Sequence, residues 1–213
     1  MPSILAEQTQ TDHKLLDMTS EMDAFEGYNV PHGARVASIA LSIADSFNIA
    51  SGDRNALEAA ALIHDIGEMK MAREYVALSR RLSLNERIDL ERHPVIGEQE
   101  AAKAGLPRSV QLLVRWHHEW FCGNGYPDKL EGEQIPLGAR ILRVADSFAS
   151  MTAARPYRRP FTDDDAKRYL KEWSGIEFDP AVVNAFLTNR VVEKPLAAAG
   201  YPDPFDDGFS LLS

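Results

Sequence analysis

The feature that most constrains this chain is its apolar spacing, which keeps time with an α-helix. Val36, Ile39, Ala40, Ile43, Ala44 and Phe47 fall at i, i+3, i+4, i+7, i+8 and i+11, one apolar face of a helix. Leu57, Ala60 and Ala61 form a second stripe after Asp53, with Gly67 near its end, and Val110, Leu113 and Val114 form a third after Pro107. Ser83 and Glu86 have the S-x-x-E spacing of a capping box. The helix they open must break near Pro94, and the next short helix stops at Gly105. Pro136 starts a strongly apolar helix through Ile141, Leu142, Val144, Ala145 and Phe148, and Thr162 and Asp179-Pro180 start two more. No period-2 stretch bounded by turns interrupts this pattern. The expected fold is therefore all-α, a single helical domain.

Its boundaries are read at residues 26 and 192, with a weakly structured N-terminal segment over 1–25 and a loose tail over 193–213. The tail carries Pro195, Gly200, Pro202 and Pro204 among acidic residues. The 213 residues suffice for a full hydrophobic core. With 23 Lys and Arg against 32 Asp and Glu, the net charge is −9, which argues against coating DNA or RNA through bulk electrostatics. No apolar run reaches the roughly 18–20 residues that span a bilayer, and residues 1–11 lack the pattern of a signal peptide. The single cysteine, Cys122, cannot form an internal disulfide. A cytoplasmic location, with no membrane and no nucleic-acid polymer as partner, is the expectation.

The stripes carry unusual passengers. His64 and His117 continue two of them, His32 and His93 stand beside helix-initiating prolines, and His118 follows His117. Asp65 adjoins His64, and Asp146 lies inside the most apolar helix. Any one of these histidines alone reads as a hydrogen-bonded core residue, and Asp146 alone as a group holding a neighbouring helix end. A buried carboxylate nevertheless needs a cation, a set of donors or a metal. Five histidines and two aspartates at inward positions or ends of five helices favour the metal reading. Seven ligands exceed one tetrahedral site, so two ions sharing a carboxylate is the economical arrangement. A hydroxide between such ions attacks phosphorus at neutral pH, and no nucleophile elbow or P-loop competes with it.

The run His64-Asp65-Ile66-Gly67, with His32 upstream and Asp146 downstream, resembles the HD-domain metal-dependent phosphohydrolases. His117-His118-Glu119, Gly123-Asn124-Gly125-Tyr126-Pro127, Leu130-Glu131-Gly132, Ile135-Pro136-Leu137, Ala139-Arg140-Ile141, Val144-Ala145-Asp146 and Arg155-Pro156-Tyr157-Arg158 resemble the HD-GYP subfamily specifically. The likeness covers about residues 30 to 188. It implies an all-helical HD-type domain and a phosphodiesterase that hydrolyses cyclic di-GMP to pGpG, GMP or both. His32, His64, Asp65 and Asp146 would hold one metal, and Asp65 would bridge to a second held by His93, His117 and His118. Some relatives carry a glutamate one turn before the first histidine for a third metal. Tyr28 stands there in this chain, which implies two ions, with iron or manganese ahead of zinc, nickel or cobalt.

Two departures bear on substrate. Glu68 stands where the subfamily usually has a lysine that meets phosphate, and Ala149-Ser150 replaces the usual Asp-Ala. A cyclic dinucleotide offers two phosphodiester charges and two flat purines, which guanidinium forks and an aromatic surface would recognise. Arg155 and Arg158 are the expected phosphate contacts, with Gly125, Tyr126 and Glu68 lining the substrate side. The Gly123–Pro127 loop is also a candidate surface for a protein partner such as a diguanylate cyclase domain. Only about 30 residues precede His32, so regulation by an attached N-terminal domain is not expected. Two alternatives stay open: a metal-loaded but catalytically weak cyclic-dinucleotide sensor, and an HD phosphohydrolase acting on another nucleotide.

Overall fold

The computed structural model describes residues 4–26, 31–71, 75, 80, 82–154 and 159–188. Among these described residues ten α-helices follow in order: α1 Ile4–Glu26, α2 His32–Ala44, α3 Ser51–Ile63, α4 Ile66–Met71, α5 Leu84–Leu90, α6 His93–Lys103, α7 Arg108–Trp116, α8 Leu137–Thr152, α9 Asp163–Glu172 and α10 Pro180–Thr188. Among the described residues there is no β-strand; only the isolated bridges Cys122–Glu131 and Ser174–Phe178 pair backbone in that manner. The all-α expectation holds. No described helix is long and apolar enough to cross a membrane.

Helix α8 is the central element. Eleven of its residues are buried, from Ala139 to Thr152, and it packs against α2, α3, α7, α9 and α10. Its apolar side meets Ile39 and Ile43 of α2, Leu57 of α3 and Phe186 of α10 in one core, where the rings of Phe148 and Phe186 lie 4.7 Å apart. A second packing unit joins α4 and α7 to α6, and α3 links the two through its contact with α7. Ser83 accepts from the Glu86 backbone N–H and Glu86 from that of Ser83, the reciprocal cap the spacing predicts. Thr162 caps α9 in the same direction.

Three expectations differ from the structure. In the segment expected to be weakly structured, the described residues form α1, Ile4–Glu26, which lies against α3, α4 and α2. Among its described side chains Leu15, Met18 and Met22 pack on the core, with Met22 fully buried. A lone helix has little stability by itself, and docking on the bundle supplies the rest. Gly67, expected near a helix end, instead lies inside α4. A Cβ there would stand 2.0 Å from the His93 carbonyl oxygen, so its bare backbone is what lets α4 and α6 touch. Helix α3 also starts two residues before Asp53, which sits in its first turn. The tail 193–213, Tyr28, Arg155 and Arg158 lie outside the described residues.

Candidate metal centre

Helix ends deliver the expected residues to one place. His32 opens α2, His64 caps the C-terminus of α3, and Asp65 occupies the turn into α4. His93 opens α6, His117 caps the C-terminus of α7, and Asp146 projects from within α8. All five histidines are at most 5% exposed. The structure gathers them into two adjacent groups, His32, His64 and Asp146 in one, and Asp65, His93, His117 and His118 in the other. Within each group one ligating atom per residue lies within 4.8 Å of all the others.

The orientation of three rings is fixed locally. His64 Nδ1 stands 3.0 Å from the Ala61 carbonyl, His93 Nδ1 2.8 Å from that of Leu90, and His117 Nδ1 2.7 Å from that of Val114. Each carbonyl belongs to the residue three positions earlier, a consequence of placing the histidine at or just beyond the end of a helix. A carbonyl accepts only, so Nδ1 carries a hydrogen, and the ring when neutral keeps its lone pair on Nε2, the form that ligates a metal.

The three Nε2 atoms converge on one another and on carboxylate oxygens. His93 Nε2 and His117 Nε2 are 3.3 Å apart, and Asp65 Oδ1 lies 3.3 and 3.4 Å from them. The other oxygen, Asp65 Oδ2, is 3.2 Å from His64 Nε2. Asp146 Oδ1 stands 3.6 Å from the same nitrogen and 3.3 Å from His32 Nε2, and it also accepts from Ser150 Oγ at 3.0 Å. His64 Nε2 and Asp65 Oδ1 are buried without a hydrogen-bond partner. With the rings neutral, acceptors face acceptors in a buried space and repel unless positive charge, a proton or a metal ion, sits among them. Nitrogen and carboxylate oxygen at this spacing make a donor set that divalent metal ions accept, and the site is suited to them.

The electrostatics follow from the same crowding. Burial alone would depress His64, but Asp65 and Asp146 outweigh it and hold its pKa well above the ordinary imidazole value. Burial would likewise raise Asp65, but His64, His117 and His93 keep it well below the usual carboxylate range. His118 goes the other way, pushed well down by burial, then by His117 and Arg143. Asp65 keeps 18% of its side chain exposed, so the centre opens to solvent on that side.

The stretch from His117 to Pro136 contains no α-helix and wraps one flank of the centre. Glu119, buried, accepts from the backbone N–H groups of Asp128 at 2.6 Å and Leu130 at 3.0 Å. Asp128 takes a two-pronged contact from Arg115, at 2.6 and 2.7 Å, and a third hydrogen bond from Trp116 Nε1. Gly125 presses on backbone, where a Cβ would lie 2.2 Å from the Trp120 nitrogen. Tyr126 stacks on His118 with ring centroids 4.8 Å apart. Glu68, in the first turn of α4, is close enough for its charge to raise the pKa of His93 and Tyr126.

Of the expected substrate residues, the structure thus brings Gly125, Tyr126 and Glu68 to the centre's edge. Sequence reasoning missed Arg143, Glu177 and Tyr169. Arg143 Nη1 donates to His118 Nδ1 at 2.8 Å, Arg143 Nη2 donates to Glu177, and the Tyr169 hydroxyl donates to the second oxygen of Glu177 at 3.2 Å. The available signal was Arg143 itself, a permanent charge on the most apolar helix, one turn before Asp146.

The family model described as HD domain matches residues 18–182. The cyclic di-GMP phosphodiesterase response regulator RpfG of Xanthomonas campestris is 36% identical over 159 residues, covering 73% of this chain and 42% of that protein. A 3'3'-cGAMP-specific phosphodiesterase 2 of Vibrio cholerae is 25% identical over 188 residues, covering 87% of this chain and 36% of the relative. The chain therefore spans less than half the length of either. Among solved structures, a cyclic GMP-AMP specific phosphodiesterase of V. cholerae, V-cGAP3, superposes with a TM-score of 0.64 at 20% identity over 81% of this chain and 47% of that one. That last likeness is one of fold.

Proposed function

The chain belongs to the HD-domain family and carries the residues of its HD-GYP branch; on that premise we propose that it is a metal-dependent phosphodiesterase hydrolysing cyclic di-GMP to pGpG, GMP or both. The observation that carries the reading is the convergence of imidazole Nε2 atoms and carboxylate oxygens on one another in one buried place. Two divalent ions, with iron or manganese favoured, suit that arrangement. His32, His64 and Asp146 would hold one, His93 and His117 the other, with His118 beside them. Asp65 turns one oxygen toward each group, which is the disposition of a bridging carboxylate. Such ions, when bound, lower the pKa of water and neutralise charge on a phosphodiester.

The chain's own residues do the rest. The Ala61, Leu90 and Val114 carbonyls hold three imidazoles in the tautomer that ligates. Asp65, at the open side, orients the attacking water toward phosphorus. Tyr126, stacked on His118, closes the flank and offers a flat face to a purine, with Gly125 allowing the backbone to approach. Arg155 and Arg158 supply guanidinium contacts to the two phosphodiester groups. Glu68 is the dissonant element, a negative charge near His93 and Tyr126 that weakens the hold on an anion.

Incubation with cyclic di-GMP and Mn(II) or Fe(II), read by product chromatography, tests the assignment, with cyclic GMP-AMP run in parallel. Appearance of pGpG or GMP is the expected result. Binding of cyclic di-GMP without product would replace the enzyme by a metal-loaded sensor. Turnover of a different nucleotide alone would move the activity elsewhere within the HD family.

A further inference from the structure

His118 sits among the imidazoles, 4.1 Å from the ring of His117 and 4.9 Å from that of His93, yet its ring is held in a different way. Where His64, His93 and His117 direct Nδ1 at backbone carbonyls, His118 Nδ1 faces Arg143 Nη1 at 2.8 Å. A guanidinium has N–H donors only and keeps its proton in proteins, so His118 Nδ1 is the acceptor. A neutral imidazole has one ring lone pair, and this one is engaged. The remaining hydrogen is then on Nε2, the reverse of the tautomer at His93 and His117.

We infer that Arg143 takes His118 out of the ligand set, so that His118 offers the centre an Nε2–H donor while Asp65, His93 and His117 hold the second cation without it. The inference rests on the metal-centre reading above and departs from the ligand set that the family resemblance implies. Arg143 is 5% exposed and Glu177 3%, so the guanidinium is a built-in feature and not a surface side chain swung inward. Glu177 and Tyr169 fix it from behind. The Glu177 carbonyl also accepts from the Phe121 backbone N–H at 3.1 Å, tying this relay to the stretch that follows His118. The consequence is a second cation with three protein ligands, leaving more of its coordination sphere for water and phosphate oxygens, as catalytic metal sites require. His118 then acts as a hydrogen-bond donor to an anion bound there, and Arg143 is the positioning residue that makes it one.

Zinc(II) serves as a diamagnetic probe. In the long-range 15N–1H spectrum of the zinc-loaded chain, His93 and His117 should show metal-bound Nε2 and protonated Nδ1. His118 should show a protonated Nε2 and an unmetallated Nδ1. Zinc analysis adds a second readout: His117→Ala should lose the second ion, whereas His118→Ala should leave the stoichiometry at that of the parent chain. A metal-bound nitrogen on His118, or loss of one zinc in His118→Ala, would overturn the inference while leaving the metal centre intact. Failure of the parent chain to bind zinc at all would instead overturn the reading beneath it. The paired variant Arg143→Leu, Glu177→Leu removes both buried charges together, and in it the His118 hydrogen should move to Nδ1. The parent spectrum decides the matter if that variant does not fold.

Discussion

The centre is assembled from two regions that hold their residues by different means. On one side α2, α3 and α8 present His32, His64 and Asp146 from helices whose inner faces are mostly apolar, with Ile39, Leu57, Ile141 and Phe148 locked in a common core. On the other side the stretch 117–136 has almost no regular structure, and polar contacts do the work that packing does elsewhere: Glu119 on two backbone N–H groups, Asp128 on Arg115 and Trp116. Apolar burial is non-directional and scales with area, so the bundle tolerates shared adjustment. Buried hydrogen bonds are directional, and each costs most when one partner is removed. The packed side is therefore the source of stability, and the hydrogen-bonded side the source of positional accuracy next to His117, His118 and Tyr126.

Variants can break or sharpen that contrast. The largest effect belongs to Asp65, where the two regions meet: Asp65→Ala should abolish binding of both ions and all hydrolysis, read by metal analysis and product chromatography. Retained binding of either ion would show that the carboxylate does not bridge. Phe148→Ala strikes the packed side and should cost about 3–5 kcal/mol in denaturant unfolding, lowering the stability of the whole chain. Glu119→Ala strikes the other side, leaving the Asp128 and Leu130 N–H groups without their acceptor at a cost of about 1–3 kcal/mol. Hydrogen exchange should then accelerate across 118–132 more than in α2 and α8; a uniform increase would erase the distinction.

A smaller change is expected from Glu68→Lys. Reversing that charge should tighten cyclic di-GMP binding by about tenfold at low salt, an advantage that salt diminishes. An unchanged dissociation constant would place the side chain away from the ligand. The smallest effect concerns Asp128, whose pKa is lowered, chiefly by Arg115. The sign follows: an aspartate depressed in the folded state adds stability that is present above its unfolded value and is lost as pH falls through the folded one. The loop should thus loosen only below the ordinary aspartate range, with exchange at 128–130 as the readout, and the effect is modest because the pair is partly exposed.

How much of this was legible in the sequence divides along the same line. The bundle was readable because the stripe from Val36 to Ala44 and the caps at Ser83 and Thr162 are local signals that formed, Phe47 alone falling past the end of α2. The residues of the centre were readable because a histidine at a stripe position, such as His64 after Ala60 and Ala61, conflicts with burial unless something answers its polarity. Helix α1 was missed because its sequence shows no strong apolar stripe, and the docking of Leu15, Met18 and Met22 on the bundle is a tertiary effect. Gly67 was misread because its close approach to His93 is a contact between helices 26 positions apart, invisible to any local pattern. The Glu119 and Arg143 networks were missed for the same reason: their partners are set by tertiary placement. Arg143 nonetheless left a trace, as a cation on a helix face where only a buried partner could keep it.

The most direct test of the account is anomalous diffraction from crystals of the chain grown with Mn(II). Two peaks about 3.5–4 Å apart are predicted, one against His32, His64 and Asp146, the other against His93 and His117, with Asp65 between them. Density for manganese elsewhere, and none among these side chains, would contradict it.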